Sequence, residues 1–169
     1  VGSAPERLQW AIETAETHLS KINRPRHSIQ LGAYINLVCD ENEQTALSLG
    51  KLIAGMVAHF AGLKHAPTEH LPPRLRAVAE HLQSQYDMAR HAQEAGSHLA
   101  LIDEDFVDWF SICGPPQKCI ERLEPLINMG LEHIYQLGGT PVAHPHDARQ
   151  IAMVEQAQLF ATDVIPHFR

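Results

Sequence analysis

Apolar residues recur at helical spacing from the start of the chain. Leu8, Ala11, Ile12, Ala15 and Leu19 stand three or four positions apart, so the pattern predicts an amphipathic helix reaching about Lys21. Ser3-Ala4-Pro5-Glu6 reads as its capping box, with the Ser3 hydroxyl and the Glu6 carboxylate each satisfying backbone donors. Pro5 falls in the first turn, where a missing N–H costs nothing. After the break at Asn23-Arg24-Pro25-Arg26, the near-continuous apolar run Ile29–Val38 predicts a buried parallel strand. Asp40, with Glu43 three residues on, predicts the start of a long helix marked by Ala46, Leu49, Ile53, Val57 and Phe60 and broken at Gly62.

A His- and Pro-bearing loop from Leu63 to Arg74 leads into a further helix marked by Leu75, Val78, Leu82 and Met88, ending near Gly96. Asp103-Glu104-Asp105 starts a short helical turn through Val107, Trp109 and Phe110. Ser111-Ile112-Cys113 is a short strand that enters Gly114-Pro115-Pro116 and a helix carrying Ile120, Leu123, Leu126 and Ile127. Gly130 terminates that helix. Leu131–Leu137 is a last strand, followed by the turn Gly138-Gly139-Thr140, and Ala148, Ile151, Val154, Ala157 and Phe160 give a final helix. Strands that alternate with helices imply right-handed crossovers and a parallel sheet. Three strands cannot close a barrel, which needs about eight. The chain is therefore either a small open α/β domain or the back end of a barrel.

Composition narrows the partners. The 169 residues are 44% apolar and 20% charged, which suits one domain with a real core and argues against disorder. A formal net charge of −7, with basic residues scattered, makes nucleic acid and anionic membrane poor partners. No apolar run approaches the roughly 20 residues that span a bilayer, and no signal-peptide layout opens the chain. Cys39, Cys113 and Cys119 lack a CxxC pair and read as reduced thiols in a cytoplasmic protein. Val1-Gly2-Ser3 stands without an initiator Met on the lip of a helix, so a piece of a longer protein is expected.

Four segments, in order, resemble the bacterial luciferase-like monooxygenase family. Cys113–Leu123 looks like the junction of its seventh strand and helix, although Pro116 stands where the family often has Glu. Asn128–Ile134 resembles the following helix end and eighth strand. Val1–Arg7 looks like the turn from strand 5 into the next helix, and Leu31–Asn36 with Asp40–Glu43 fits the next βα unit. The resemblance implies an α/β fold, the C-terminal half of a (β/α)₈ TIM barrel with parallel strands. The chain is then a single partial domain over residues 1–169, with a helical insertion at about 63–103.

The resemblance also implies a flavin-dependent oxidoreductase, using FMN or the deazaflavin coenzyme and a small-molecule substrate. The residues that orient the reacting ring come mostly from the family's first four strands, so no catalytic residue is assigned here and little catalysis is expected of the isolated chain. The alternative is a non-catalytic α/β oligomerisation or binding module derived from that fold, with the helix from Asp40 to Gly62 as its partner surface and a homo-oligomer such as a dimer as its product.

Cofactor phosphate is the one ligand with a physical mechanism in these residues, because a helix N-terminus offers unpaired N–H groups and partial positive charge. Val1, Gly2, Ser3 and Ala4 form such a turn, and Gly114 and Gly138-Gly139-Thr140 follow strands in the usual phosphate neighbourhood of barrels. Plain capping and plain turns are the competing accounts. Among the twelve histidines, His65 with His70 and His144 with His146 sit in Pro-containing loops without a helical spacing and carboxylate, so no metal site is expected. His133 reads as a half-buried strand residue with a backbone partner, and Cys113 as a buried, inert thiol.

Overall fold

The computed structural model describes residues 3–58, 73–85, 100, 102–137 and 148–169. Helix α1 runs Pro5–Lys21, strand β1 Gly32–Cys39, helix α2 Glu43–Val57, helix α3 Pro73–Gln85 and helix α4 Glu104–Phe110. Strand β2 is Ile112–Gly114, helix α5 Pro116–Asn128, strand β3 His133–Leu137 and helix α6 Ala148–Leu159, followed by a π-helical turn over Phe160–Val164. The element order is the one the periodicity predicts. The helical and loop expectations that fall on 59–72, 86–99 and 138–147 lie outside the described residues.

All strand pairing is parallel, in the order β2-β1-β3. β1 pairs with β3 along five residues, Gly32↔His133 to Asn36↔Leu137, and with β2 along three, Leu37↔Ile112 to Cys39↔Gly114. Winding in chain order would put β2 between β1 and β3. Instead β2 lies on the far side of β1 and touches only its carboxyl end. All pairings are parallel, as the barrel reading expects, but β1 and β3 are direct neighbours here, whereas sixth and eighth barrel strands have the seventh between them.

The period of two along β1 separates two cores. Ala33, Ile35, Leu37 and Cys39 pack with Leu8 and Ile12 of α1 and Cys119, Leu123 and Leu126 of α5. Val38, with Cys113 of β2, faces Ala46, Ile53 and Ala54 of α2, Leu75, Val78 and Leu82 of α3, and Phe106 and Phe110 of α4. The amino-terminal part of that second face is open. Tyr34 and Tyr135 are 55% and 52% exposed and stack with ring centroids 5.0 Å apart. A parallel sheet is ordinarily covered on both faces.

Several local expectations change. Ala4, not Ser3, precedes α1, no side chain caps that helix, and the Ser3–Glu6 box does not form. The Ser3 N–H is already spent on Phe110 O at 2.9 Å, which turns the residue into the neighbouring layer. At α2 the cap is Asn42, whose Oδ1 accepts from Thr45 N at 3.0 Å. Asp40 instead accepts from Asn42 N at 2.8 Å, an Asx-type turn that sets up the cap. The first strand begins at Gly32 rather than Ile29 because Arg26–Ser28 forms a 3₁₀ turn that Arg24 and Arg26 tie down through Ser28 and Ile29 O. Gly130 does end α5, at φ +91°, a conformation that an L side chain resists.

Candidate functional site

The carboxyl ends of β1 and β2 meet at a backbone bond, Asp40 N to Gly114 O at 3.0 Å. Asp40 also receives Gln156 Nε2 on its second carboxylate oxygen at 2.8 Å, so α6 is latched to this end of β1. Gly114 has φ +148°, a backbone conformation that calls for glycine, and a Cβ there would also stand 2.8 Å from Lys118 Cδ and push the flexible lysine stem aside. Its carbonyl further accepts from Cys119 Sγ at 3.5 Å.

Next to this edge lies the amino end of α1, packed on the α4–β2 turn. Ser3 is 1% exposed and its Oγ makes no hydrogen bond; the Oγ of Ser111, at the start of β2, is in the same condition. Arg7, one helical turn on from Ser3, is also buried, and desolvation lowers its guanidinium below the ordinary arginine value. Two buried hydroxyls and a buried cation at the start of a 17-residue helix suit an anionic group. Each orphaned hydroxyl otherwise costs roughly 1–3 kcal/mol.

An open cleft of about 620 Å³ adjoins, lined among others by Pro5, Asp108, Trp109, Lys118 and Arg122. Its floor is an ion cluster. Arg122 donates to Asp108 Oδ2 at 3.1 Å and to its carbonyl at 2.6 Å, while Lys118 Nζ stands 2.9 Å from Asp108 Oδ1 and 2.8 Å from Glu43 Oε1. The cluster joins α2, α4 and α5. Burial alone raises the Asp108 carboxyl, but the Lys118 hydrogen bond and the Arg122 charge outweigh it and hold it below the usual aspartate value.

A group depressed on folding stabilises above its unfolded pKa of about 3.9, and that contribution disappears as pH falls through the folded value. With nearly half of the Asp108 side chain exposed, solvent screens the pairs, and Asp108→Asn is expected to lower stability by about 0.5–1 kcal/mol at pH 7. Thermal melts from pH 7 to 2.5 should show the variant and the parent converging only below about pH 4. A gap that stays constant down to pH 2.5 would assign the effect to shape rather than charge.

Of the residues singled out in the sequence, Ser3, Ala4 and Gly114 are described and gather at this end of the fold. Val1, Gly2, Gly138, Gly139 and Thr140 lie outside the described residues, as do His65, His70, His144 and His146. Ala4 is fully buried and offers its carbonyl to Leu8 N, so its part is structural. His133 is exposed and meets the Gln30 side chain at 3.2 Å, not a backbone group, on the face of β3 that is open among the described residues. Cys113 is buried and its thiol is pushed up to about 12 by burial, so it carries no thiolate at neutral pH. Among the described residues, no three His, Cys, Asp or Glu side chains converge on a metal-sized site, and no helix is long and apolar enough to cross a membrane.

Asn36 was not singled out. It lies within the buried part of β1, 1% exposed, and neither Nδ2 nor Oδ1 has a hydrogen-bond partner. A lone amide between Ile35 and Leu37 is a visible signal in the sequence, but period alone does not say which face it takes or whether it is satisfied there.

A family model of luciferase-like monooxygenases matches residues 1–133. The chain belongs to the luciferase-like monooxygenase family. Among curated proteins it is similar to the 5,10-methylenetetrahydromethanopterin reductases of Methanopyrus kandleri and Archaeoglobus fulgidus. The first is 24% identical over 167 residues, covering 99% of this chain and 43% of the relative. The second is 23% identical over 173 residues, covering 99% of this chain and 47% of the relative. The chain thus spans less than half the length of these relatives.

A solved structure, the coenzyme F420 dependent tetrahydromethanopterin reductase from Methanopyrus kandleri, superposes with a TM-score of 0.64 and 22% identity, over 99% of this chain and 44% of that one. The luciferase-like member is therefore an α/β chain with the fold of part of that reductase's barrel.

Proposed function

We propose that this chain forms the phosphate-side part of a deazaflavin-dependent oxidoreductase acting on a small-molecule substrate. The observation that carries this reading is the amino end of α1, where the buried Ser3 and Ser111 hydroxyls and the buried Arg7 guanidinium fit an anionic group in a chain that carries the family's match. Ser3 and Ser111 would hold a phosphate by donating hydroxyl hydrogens, and Arg7 supplies the compensating charge. The deazaflavin is preferred over FMN because the solved relative is coenzyme F420 dependent. When bound, such a coenzyme accepts or delivers a hydride. This chain's own residues anchor and orient it, and the reacting-ring contacts are assigned to the part of the relatives' barrel that the chain does not span.

Titration of the protein with coenzyme F420 and with FMN, followed by absorbance and fluorescence, tests the reading. Binding of coenzyme F420 in preference to FMN, weakened about 10–100-fold by Ser3→Val, is expected. Binding of neither coenzyme overturns the proposal. Tight FMN binding with no response to coenzyme F420 would overturn the choice of cofactor.

A further inference from the structure

We infer that Cys39 and Cys119 are an oxidisable pair, which hydrogen peroxide converts into a disulfide that staples β1 to the first turn of α5. The inference goes beyond the coenzyme reading above and does not depend on it.

The sheet sorts the three cysteines into two layers. Cys39, the last residue of β1, and Cys119, in the first turn of α5, share the core that α1 and α5 close. Cys113 of β2 belongs to the core of α2, α3 and α4 on the other face, where its Sγ lies 2.3 Å from the place a Cβ on Gly50 would take. Cys113 is the nearer neighbour of Cys119 in the chain, yet the fold gives Cys119 the distant Cys39 as its companion.

Gly114 is the hub that brings this pair together. In the parallel register Cys39 stands opposite Gly114. The Gly114 carbonyl accepts from Asp40 N, next after Cys39, at 3.0 Å and from Cys119 Sγ at 3.5 Å. One oxygen thus holds both the backbone beside Cys39 and the sulfur of Cys119. The two thiols also hydrogen-bond to each other, and that bond holds the Cys39 thiol below the ordinary cysteine value against burial and the carboxylates of Glu41, Asp163 and Asp40. The same bond, with burial, pushes Cys119 up. The pair is therefore unequal: Cys39 is the sulfur that gives up its proton, and Cys119 is the donor beside it.

That inequality sets the order of events. The Cys39 thiolate attacks one peroxide oxygen and the O–O bond breaks. Cys39 becomes a sulfenic acid, and the departing hydroxide takes up a proton as water. The Cys119 sulfur then attacks the Cys39 sulfur; the S–O bond breaks, the S–S bond forms, and the Cys119 proton leaves in a second water. Two thiols lose two electrons, and one hydrogen peroxide is reduced to two waters. Both sulfurs are buried, so the oxidant must be small. Peroxide enters by local opening at the end of β1, where Asp40 is half-buried and Glu41 exposed.

Tryptic mapping tests the pairing. Trypsin leaves the three cysteines in separate peptides, 27–51, 91–118 and 119–122, and non-reducing mass spectrometry reads which of them are joined. In the folded protein, treated with hydrogen peroxide and then alkylated, the main product is expected to join 27–51 to 119–122. The link should be lost in Cys39→Ala and Cys119→Ala and kept in Cys113→Ala. In strong urea the preference should pass to Cys113 with Cys119, because the shorter loop costs less entropy to close. The bridged chain should melt about 5–15 °C higher than the reduced one, since the bond closes a long loop of the unfolded chain.

A folded protein whose main link involves 91–118, or that forms no link at all under peroxide, overturns the inference. So does a bridge that lowers the melting temperature, because native packing then does not place the two sulfurs for a bond. The parent protein alone yields these results, so they stand even where a cysteine variant fails to fold. No coenzyme enters any of the measurements, and failure of the coenzyme reading leaves them untouched.

Discussion

Phe110→Ala is expected to remove about 3–5 kcal/mol of folding stability, the range for truncating a fully buried aromatic residue. Phe110 closes α4, is completely buried, and stacks on Phe106 with centroids 5.7 Å apart and planes 11° from parallel. Trp109 leans on it at 6.2 Å. The same residue carries a second duty through its backbone, because its carbonyl receives the Ser3 N–H that holds the start of α1. Losing the ring leaves a cavity between α2, α3 and α4 that these helices cannot close without moving apart. A domain has only about 5–15 kcal/mol in total, so the variant should be close to unfolding at room temperature. Urea denaturation followed by far-ultraviolet dichroism measures it; a loss below 1 kcal/mol would mean that Phe110 is not in the core.

Gly50→Ala should destabilise although alanine is the better helix former. Gly50 lies in α2 against β2, and a Cβ there would stand 2.3 Å from Cys113 Sγ and 3.1 Å from Val107 Cγ1. The propensity gain is about 1 kcal/mol. Overpacking against a buried thiol and a β-branched neighbour costs about 1–3 kcal/mol, and here the approach is close enough for the cost to win by about 1–2 kcal/mol. The cause is identifiable by a double substitution. Removing the thiol in Gly50→Ala/Cys113→Ala takes away the nearest atom and leaves Cys113's own Cβ position at an ordinary 3.6 Å, so most of the loss should be regained. Additive losses in the double variant would show that the two positions do not meet.

Helices α1, α4 and α5 were legible in the sequence because each is amphipathic and carries its own punctuation: Pro5, Asp103, and the pair Pro116 and Gly130. In α4 the Asp103 side chain does accept from Phe106 N at 2.9 Å, a cap decided within four residues. What was not legible depended on residues distant in the chain. Ser3 looks like a cap until Phe110, 107 positions on, takes its N–H. Asp40 satisfies the local rule for an N-cap, yet Asn42 stands closer to the helix and Gln156 claims the spare oxygen.

The place of β2 was equally hidden. Alternation announces a parallel sheet but not the order of its strands, and three residues carry no periodicity of their own. For the candidate site, glycine and serine at element ends could be read as anion-binding turns, and Ser3 and Gly114 do gather at one end of the fold. Ser111, Asp108 and Asn36 could not be read, because their interest lies in what they touch or fail to touch.

The stacked tyrosines on the open face of the sheet have a practical consequence. Tyr34 and Tyr135 present a flat aromatic plate to water, and the outer edge of β3 beside them has no strand partner among the described residues. Edges of that kind recruit other edges. Association of the isolated chain is therefore expected to rise with ionic strength, because a net charge of −7 keeps copies apart at low salt, screening weakens that repulsion, and sulfate strengthens apolar contact.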